Sequence, residues 1–188
     1  MKNPQEPFTQ SPAPLRVLRG DTLLHAGRSG PLWRVTAGAF RLERPAQDGE
    51  TFVQLALAGD LMGVECLCAE PYAYTAVALT DSLVCLQPQG QDISRYKVMA
   101  QGFLQQQRRA MDMMKLRSGS IAGRIGYLLG LLGHPPETPS PAQERRRLPS
   151  LAELARVVDS TPETVCRELK AFRPARPRLQ APVHGLPA

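Results

Sequence analysis

The sequence predicts an α+β protein with a β-rich front half, one long connecting helix and a back end of short helices. Three observations predict it. Short apolar stretches separated by turn signals fill residues 15–88, the apolar period lengthens from about Ile93, and two short helical patterns adjoin near the C-terminus. The division we expect is a disordered N-terminus over 1–14, a β domain over 15–90, a long helix over 91–117, a helical unit over 118–173 and a Pro/Arg-rich tail over 174–188.

In the front half, "LWRV", "AFRLE", "TFVQLAL", "YTAVAL" and "SLVCLQ" alternate with Gly20-Asp21, Gly27, Gly30-Pro31, Gly38, Asp48-Gly49 and Gly59-Asp60. Many short strands at fairly even spacing point to a barrel or jelly roll, with Asp48-Gly49 as a hairpin tip. In the long helix, Tyr96, Ala100, Phe103, Gln107, Ala110 and Met114 step by four and three. That narrow seam either pairs with a second copy of the helix or packs on the β domain; Gln107 and the charged flanks Arg108, Arg109 and Asp112 suit a partner helix.

A second helix runs from about Ser120 to Leu132. Ser118, Ala122, Gly126 and Gly130 recur every four residues along it, a small-residue face that permits close helix approach. The proline-rich "HPPETPSPAQERRRLP" reads as a loop. It leads into "SLAELARVVD", where Ser150 and Glu153 form a capping box and Leu151, Leu154, Ala155 and Val158 make the buried face. Then comes "STPETVCRELKAF". Thr161 can cap this helix and Pro162 suits its first position, where no N–H is needed. Val165, Leu169 and Phe172 make its core stripe, while Glu163, Cys166, Arg167 and Lys170 make the opposite face.

Two helices joined this tightly by "DST" have the grammar of a helix-turn-helix, whose second helix enters the DNA major groove. An arginine can donate twice to guanine and a carboxylate can accept from cytosine N4. Glu163 and Arg167, one turn apart, therefore suit neighbouring base pairs and can hold each other in place. Charge agrees. Residues 1–114 carry 11 Lys/Arg and 11 Asp/Glu, whereas residues 115–188 carry 12 and 6, so the net +6 lies at the back, where a polyanion would bind.

These blocks resemble the CRP/FNR superfamily of bacterial transcription regulators. The likeness runs from about Val17 to Phe172, through "GDTLLHAGRSGPLWRVTAGAFRLER", "LALAGDLMGVECL", "AGRIGYLL" and, most specifically, "LPSLAELARVVDSTPETVCRELKAF". The resemblance implies a β-roll sensor, a dimerising helix over 91–117 and a C-terminal winged helix-turn-helix. It implies a homodimer on near-palindromic double-stranded DNA with TGA/TCA-type half-sites, with RNA polymerase as a further partner. Base-reading falls to Glu163, Arg167 and Cys166, and phosphate contact to Thr161, Thr164, Lys170 and Arg173.

The sequence also departs from that pattern. Where cyclic-nucleotide binders carry a ribose-binding glutamate and an Arg-Ser pair for phosphate, this chain has Val64, Tyr74 and Thr75. Without the arginine there is no charge-assisted grip on phosphate, so cyclic AMP is not the expected ligand. Gly63, Val64, Glu65, Tyr74 and Thr75 remain the expected effector pocket, for an unknown effector. Glu65 is expected to point away from it by strand alternation.

No cysteine precedes Cys66, which argues against an N-terminal iron–sulfur cluster. Cys66, Cys68 and Cys85 read as core cysteines rather than a thiol sensor or metal site. His25, alone in the β region, reads as structural or solvated. Asp159 stands at the usual glycine of the turn, and Glu168 where an apolar residue is common. After Phe172, "RPARPRLQAPVHGLPA" cannot supply a normal strand pair, so the wing is expected to be missing or degenerate. There is no P-loop, G-x-G-x-x-G or H-E-x-x-H. We therefore expect no catalytic residue, metal or cofactor. The polar N-terminus and the shortness of "IGYLLGLLG" predict a cytoplasmic protein with no membrane partner.

Overall fold

The structure is a computed structural model and describes residues 13–47, 49–89, 91–134 and 148–171. Phe172, Arg173, the expected wing and tail, and most of the proline-rich connection lie outside the described residues.

Eight strands form the front half: β1 (Leu15–Val17), β2 (Thr22–Leu24), β3 (Trp33–Ala37), β4 (Ala39–Ala46), β5 (Gly49–Leu57), β6 (Leu61–Met62), β7 (Thr75–Ala78) and β8 (Ser82–Leu86). They pair as two four-stranded antiparallel sheets, ordered β1-β8-β3-β6 and β2-β7-β4-β5. Face-to-face sheets with these crossovers are the jelly-roll alternative of the sequence reading. Ala46 lies opposite Gly49, so the longest hairpin closes at the predicted turn.

The alternation along β5 explains its unbroken apolar stretch. Ala56 faces the inter-sheet core with Phe40, Leu42, Val84 and Ala78, whereas Leu55 and Leu57 face a second core shared with the helices. A strand buried on both sides reads as continuous hydrophobicity. Glycine is required at Gly38. Its φ is 84°, and an added Cβ would sit 2.2 Å from Ser82 Oγ and 2.7 Å from the Asp81 carbonyl oxygen.

Helix α1 spans Asp92–Arg117, capped where the Ser94 hydroxyl accepts from the Gln91 N–H at 3.0 Å. Val98, Gln105 and Leu116 are its buried residues. The seam lies elsewhere: Tyr96, Phe103 and Met114 are 69%, 65% and 71% exposed. The stripe thus does not pack on the β domain.

Helix α2 covers Ile121–Leu131, with the Ser120 hydroxyl accepting from Gly123 N–H at 3.2 Å. Its packed face is Ile125, Leu128 and Leu129. The expected small-residue contact is not what buries it: a Cβ added at Gly130 would meet nothing within 4 Å. Ile125, Leu128 and Leu129 take the core instead.

Helices α3 (Leu151–Val158) and α4 (Pro162–Ala171) are the last elements among the described residues. The Ser150–Glu153 capping box is present on both sides. Asp159 ends α3 at φ 55°, the left-handed conformation expected of its turn position. Leu154, Ala155, Val157 and Val158 are buried, but Leu151 is exposed, contrary to the expected face. The first turn overhangs the core edge, and Val157 takes the inward place. Val165 of α4 is fully buried in the core that also contains Leu55, Leu57 and Leu116; α3 rests on β5 of the second sheet, and α4 packs on α2 and α3.

Candidate functional site

The start of α4 is set by local chemistry. Thr161 Oγ1 accepts from the Thr164 N–H at 3.3 Å, and its hydroxyl lies 3.1 Å from that of Thr164. Pro162 follows as the first helical residue. Burial of Val165 fixes the rotation of the helix about its axis. Glu163, Arg167 and Lys170 are consequently directed outward, and Cys166 is half-buried between them. Glu163, Cys166, Arg167, Lys170, Pro162 and Leu151 together line a shallow recess of about 440 Å³.

The expected mutual hold of Glu163 and Arg167 is not formed. Arg167 Nε lies 3.4 Å from Glu168 Oε1 instead. With the Arg167 side chain 73% exposed, such a pair contributes little and leaves the guanidinium available. Glu168, in the position expected to be apolar, keeps a quarter of its side chain in solvent and so avoids full burial of its charge.

The helix-turn-helix is tied to its neighbours by charge. The Arg124 guanidinium donates to the Val158 carbonyl at 2.8 Å, and Arg117 lies 3.4 Å from Asp159. On the sheet side, Glu43, nearly fully buried, accepts from Arg41 and from Arg156 of α3, each at 2.9 Å. Arg41 also reaches Glu153 at 3.1 Å, so strand β4 and helix α3 share an alternating acid–base cluster.

A second chain of polar contacts runs from the β domain through α1 to α2. Arg109 grips Asp60 with Nε at 2.6 Å and Nη2 at 3.2 Å and also pairs with Asp112. Asp112 accepts from the Tyr127 hydroxyl at 2.6 Å. That hydrogen bond to the neutral phenol, with burial and the Asp112 charge, pushes Tyr127 up to about 12.

A cavity of about 400 Å³ lies where α1 crosses the β domain. Gly63, Val64, Glu65 and Tyr74 line it as expected, but Thr75 does not. Its hydroxyl accepts from Ala26 N–H at 3.2 Å, turned to the β2 edge. The strand argument about Glu65 also fails, because Val64–Cys68 is a 3-10 helix. Without strand alternation Glu65 lines the cavity, its carboxylate accepting from Ala73 N–H at 3.1 Å. Gly63 is required here too: at φ 78°, a Cβ would come within 2.5 Å of the Tyr72 ring.

Sequence reasoning missed the residues that α1 brings to this cavity, Gly102, Phe103, Gln105 and Gln106, together with Gln54 and Tyr72. Gln54 and Gln106 exchange amide hydrogen bonds at 3.0 and 3.1 Å, and Gln105 bonds both backbone groups of Leu61. A second stripe, Val98, Gln105, Arg109, Asp112 and Leu116, is legible at helical spacing and would have marked this inward face. No Lys, Arg or His is among the described lining residues. Arg44 stacks on Tyr74 at 4.8 Å from the ring centre but is not part of the lining.

Of the three cysteines expected in the core, only Cys66 packs against one. Cys68 is exposed on the 3-10 turn, Cys85 is half-buried on β8 between β1 and β3, and Cys66 is half-buried against the small core of Leu32, Leu61, Leu67 and Val98. Burial, then the Glu65 charge, raises the Cys66 thiol above its ordinary value, so it is held as thiol. Among the described residues no group of three His, Cys, Asp or Glu could hold a metal ion, and His25 is exposed in its turn. No helix among them is long and apolar enough to cross a membrane.

Comparison with known proteins places this geometry. Residues 14–93 match the cyclic nucleotide-binding domain family. The transcriptional regulator LdrP of Thermus thermophilus is 30% identical over 166 residues, 84% of this chain and 83% of the relative. The crystal structure of a CRP-family transcriptional regulator from Thermus thermophilus superposes with a TM-score of 0.62 at 27% identity, covering 84% of this chain and 83% of that one. Another, of the CRP/FNR family from the same organism, gives 0.59 at 24% identity over 85% of each chain, a likeness of fold. A jelly roll, a long helix and a helix-turn-helix in this order, matched across most of the chain by such relatives, have one reading: this chain belongs to the CRP/FNR family of transcriptional regulators.

Proposed function

We propose that the chain acts in the cytoplasm as a homodimer that binds a near-palindromic DNA site and regulates transcription, with RNA polymerase as a partner. The observation that carries the reading is the outward face of α4. Glu163 and Arg167 stand one turn apart on a capped helix, exposed, with Cys166 between them and Lys170 beyond. Arg167 addresses guanine through O6 and N7, and Glu163 accepts from cytosine N4. Thr161, Thr164 and Lys170 lie at the edges of that face, where phosphates pass, and Arg173 would extend them. A TGA/TCA-type half-site contains one G·C pair, whose guanine suits Arg167 and whose cytosine suits Glu163.

The exposed seam of α1 supports the dimer. Tyr96, Ala100, Phe103, Gln107, Ala110 and Met114 form a stripe at heptad spacing that the chain's own core does not use. A two-fold pair would present two α4 helices about one DNA turn, ~34 Å, apart.

The cavity beside that seam is the effector site of this reading. Its lining offers aromatic rings, amides and one carboxylate but no cation, so a cyclic phosphate would be buried without a counter-charge. Cyclic AMP is not the ligand we propose, and we assign no metal, cofactor or catalytic residue. Selection of bound duplexes from random DNA, with and without reductant, tests the whole reading. A two-fold symmetric motif with a G·C pair in each half-site is the expected result; recovery of unrelated sequences would overturn it.

A further inference from the structure

We infer that Leu151, with Cys166, recognises the 5-methyl group of a thymine beside the G·C pair that Arg167 addresses. The inference rests on the DNA reading above and deepens it.

Leu151 stands apart from the other apolar residues of α3. It is 38% exposed, whereas Leu154, Ala155, Val157 and Val158 are exposed by no more than 2%. A frayed helix end would explain such exposure, but this end is pinned. The Glu153 carboxylate accepts from the Ser150 N–H at 2.7 Å and from its hydroxyl at 2.8 Å, while the Ser150 hydroxyl accepts from Glu153 N–H at 3.3 Å. Arg41 holds Glu153 from the other side. Leu151, directly after the cap, is therefore presented in a defined place.

That place is the recess formed with Glu163, Cys166 and Arg167. Its polar members have partners in the major groove: arginine for guanine, carboxylate for cytosine, lysine for phosphate. The apolar members, Leu151, Pro162 and the half-buried thiol of Cys166, do not. The thymine methyl is the apolar feature that the major groove displays, and apolar side chains are what contact it. Cys166 behaves as such a hydrophobe. It lines the same recess as Arg167, so the methyl it meets belongs to a base pair next to the guanine. Leu151 closes over the same methyl from α3.

The test uses the full chain and the symmetric duplex recovered by selection, with thymine replaced by deoxyuridine at one symmetric pair of positions at a time. Burial of one methyl changes affinity about 4-fold, so replacing a pair should weaken binding about 15-fold. We expect that loss at one pair of positions only. In Leu151→Ala, the same replacement should cost less than about 2-fold; Leu151→Met, which keeps an apolar side chain, should retain most of the loss. Equal wild-type affinity for thymine and deoxyuridine duplexes at every position overturns the inference but leaves DNA reading intact. So does a loss that persists unchanged in both Leu151→Ala and Cys166→Ser. Equal affinity for the selected and a scrambled duplex instead overturns the reading beneath it.

Discussion

Replacing Arg109 by methionine tests whether the polar chain from the β domain to α2 holds the protein together. The guanidinium side chain is 12% exposed and faces Asp60 at 4% and Asp112 at 15%. Methionine keeps much of the volume and removes the charge, leaving two poorly solvated carboxylates opposite each other. Removing one member of a buried ion pair costs about 3–5 kcal/mol. Asp60 retains the Leu57 N–H at 2.8 Å and Asp112 retains the Tyr127 hydroxyl, so the lower end applies, about 3 kcal/mol. For a chain of this size that lowers Tm by about 6–12 °C. The contrast is Arg16→Ala, whose pair with Asp81 has side chains 68% and 61% exposed. Surface pairs of this kind contribute little, so its Tm should fall far less than that of Arg109→Met. Thermal unfolding followed by circular dichroism compares the two directly. Equal shifts would refute the reasoning, because they would make the buried chain no more important than a solvated pair.

Three further outcomes follow from the same geometry. Phe103→Glu places a charge in the middle of the exposed α1 seam and should convert a dimer to a monomer in sedimentation velocity without loss of helix content; an unchanged sedimentation coefficient counts against the seam. In an absorbance titration at 295 nm, one tyrosine should ionise near pH 12, and Asp112→Asn should return it toward the ordinary value of 10. Since the folded phenol holds its proton more tightly than the unfolded one, this bond's stabilisation is complete below pH 10 and is lost as pH rises through 12. Alkylation at pH 8 should modify exposed Cys68 before Cys66, whose raised thiol pKa and partial burial slow its reaction; the reverse order would contradict the placement of the 3-10 turn.

What the sequence disclosed is largely what local chemistry decides. The glycine turns and period-2 stretches marked the β region, and Ser150 with Glu153 and Thr161 with Pro162 marked both helix starts. The seam of α1 was legible because heptad spacing is a property of one helix. What it did not disclose depends on contacts between distant segments. Gln54 and Gln106 meet only when α1 crosses β5. The four-residue charge cluster joins Arg41 and Glu43 to residues more than a hundred positions later. Glu65 was misplaced because strand alternation was applied to a stretch that turns as a 3-10 helix. Leu151 was assigned to the core because helical spacing says which residues share a face, not where the core beneath that face ends. The Glu163–Arg167 pair failed for a related reason: (i, i+4) spacing permits an ion pair, but exposed charges choose among several partners of similar energy.

The central claim is that α4 distinguishes G·C pairs through Arg167 and Glu163. It is tested most directly by a double-mutant cycle that crosses Arg167→Ala with replacement of the half-site G·C by A·T, measured as binding affinity at ~150 mM salt. A bidentate arginine–guanine contact discriminates by about 1–3 kcal/mol per base pair. The wild-type protein should therefore lose at least about 5-fold per half-site on the replacement, while the alanine variant, left with the Glu163 contact alone, should lose clearly less. Losses that simply add, with the variant still preferring G·C by the full wild-type factor, would contradict the account.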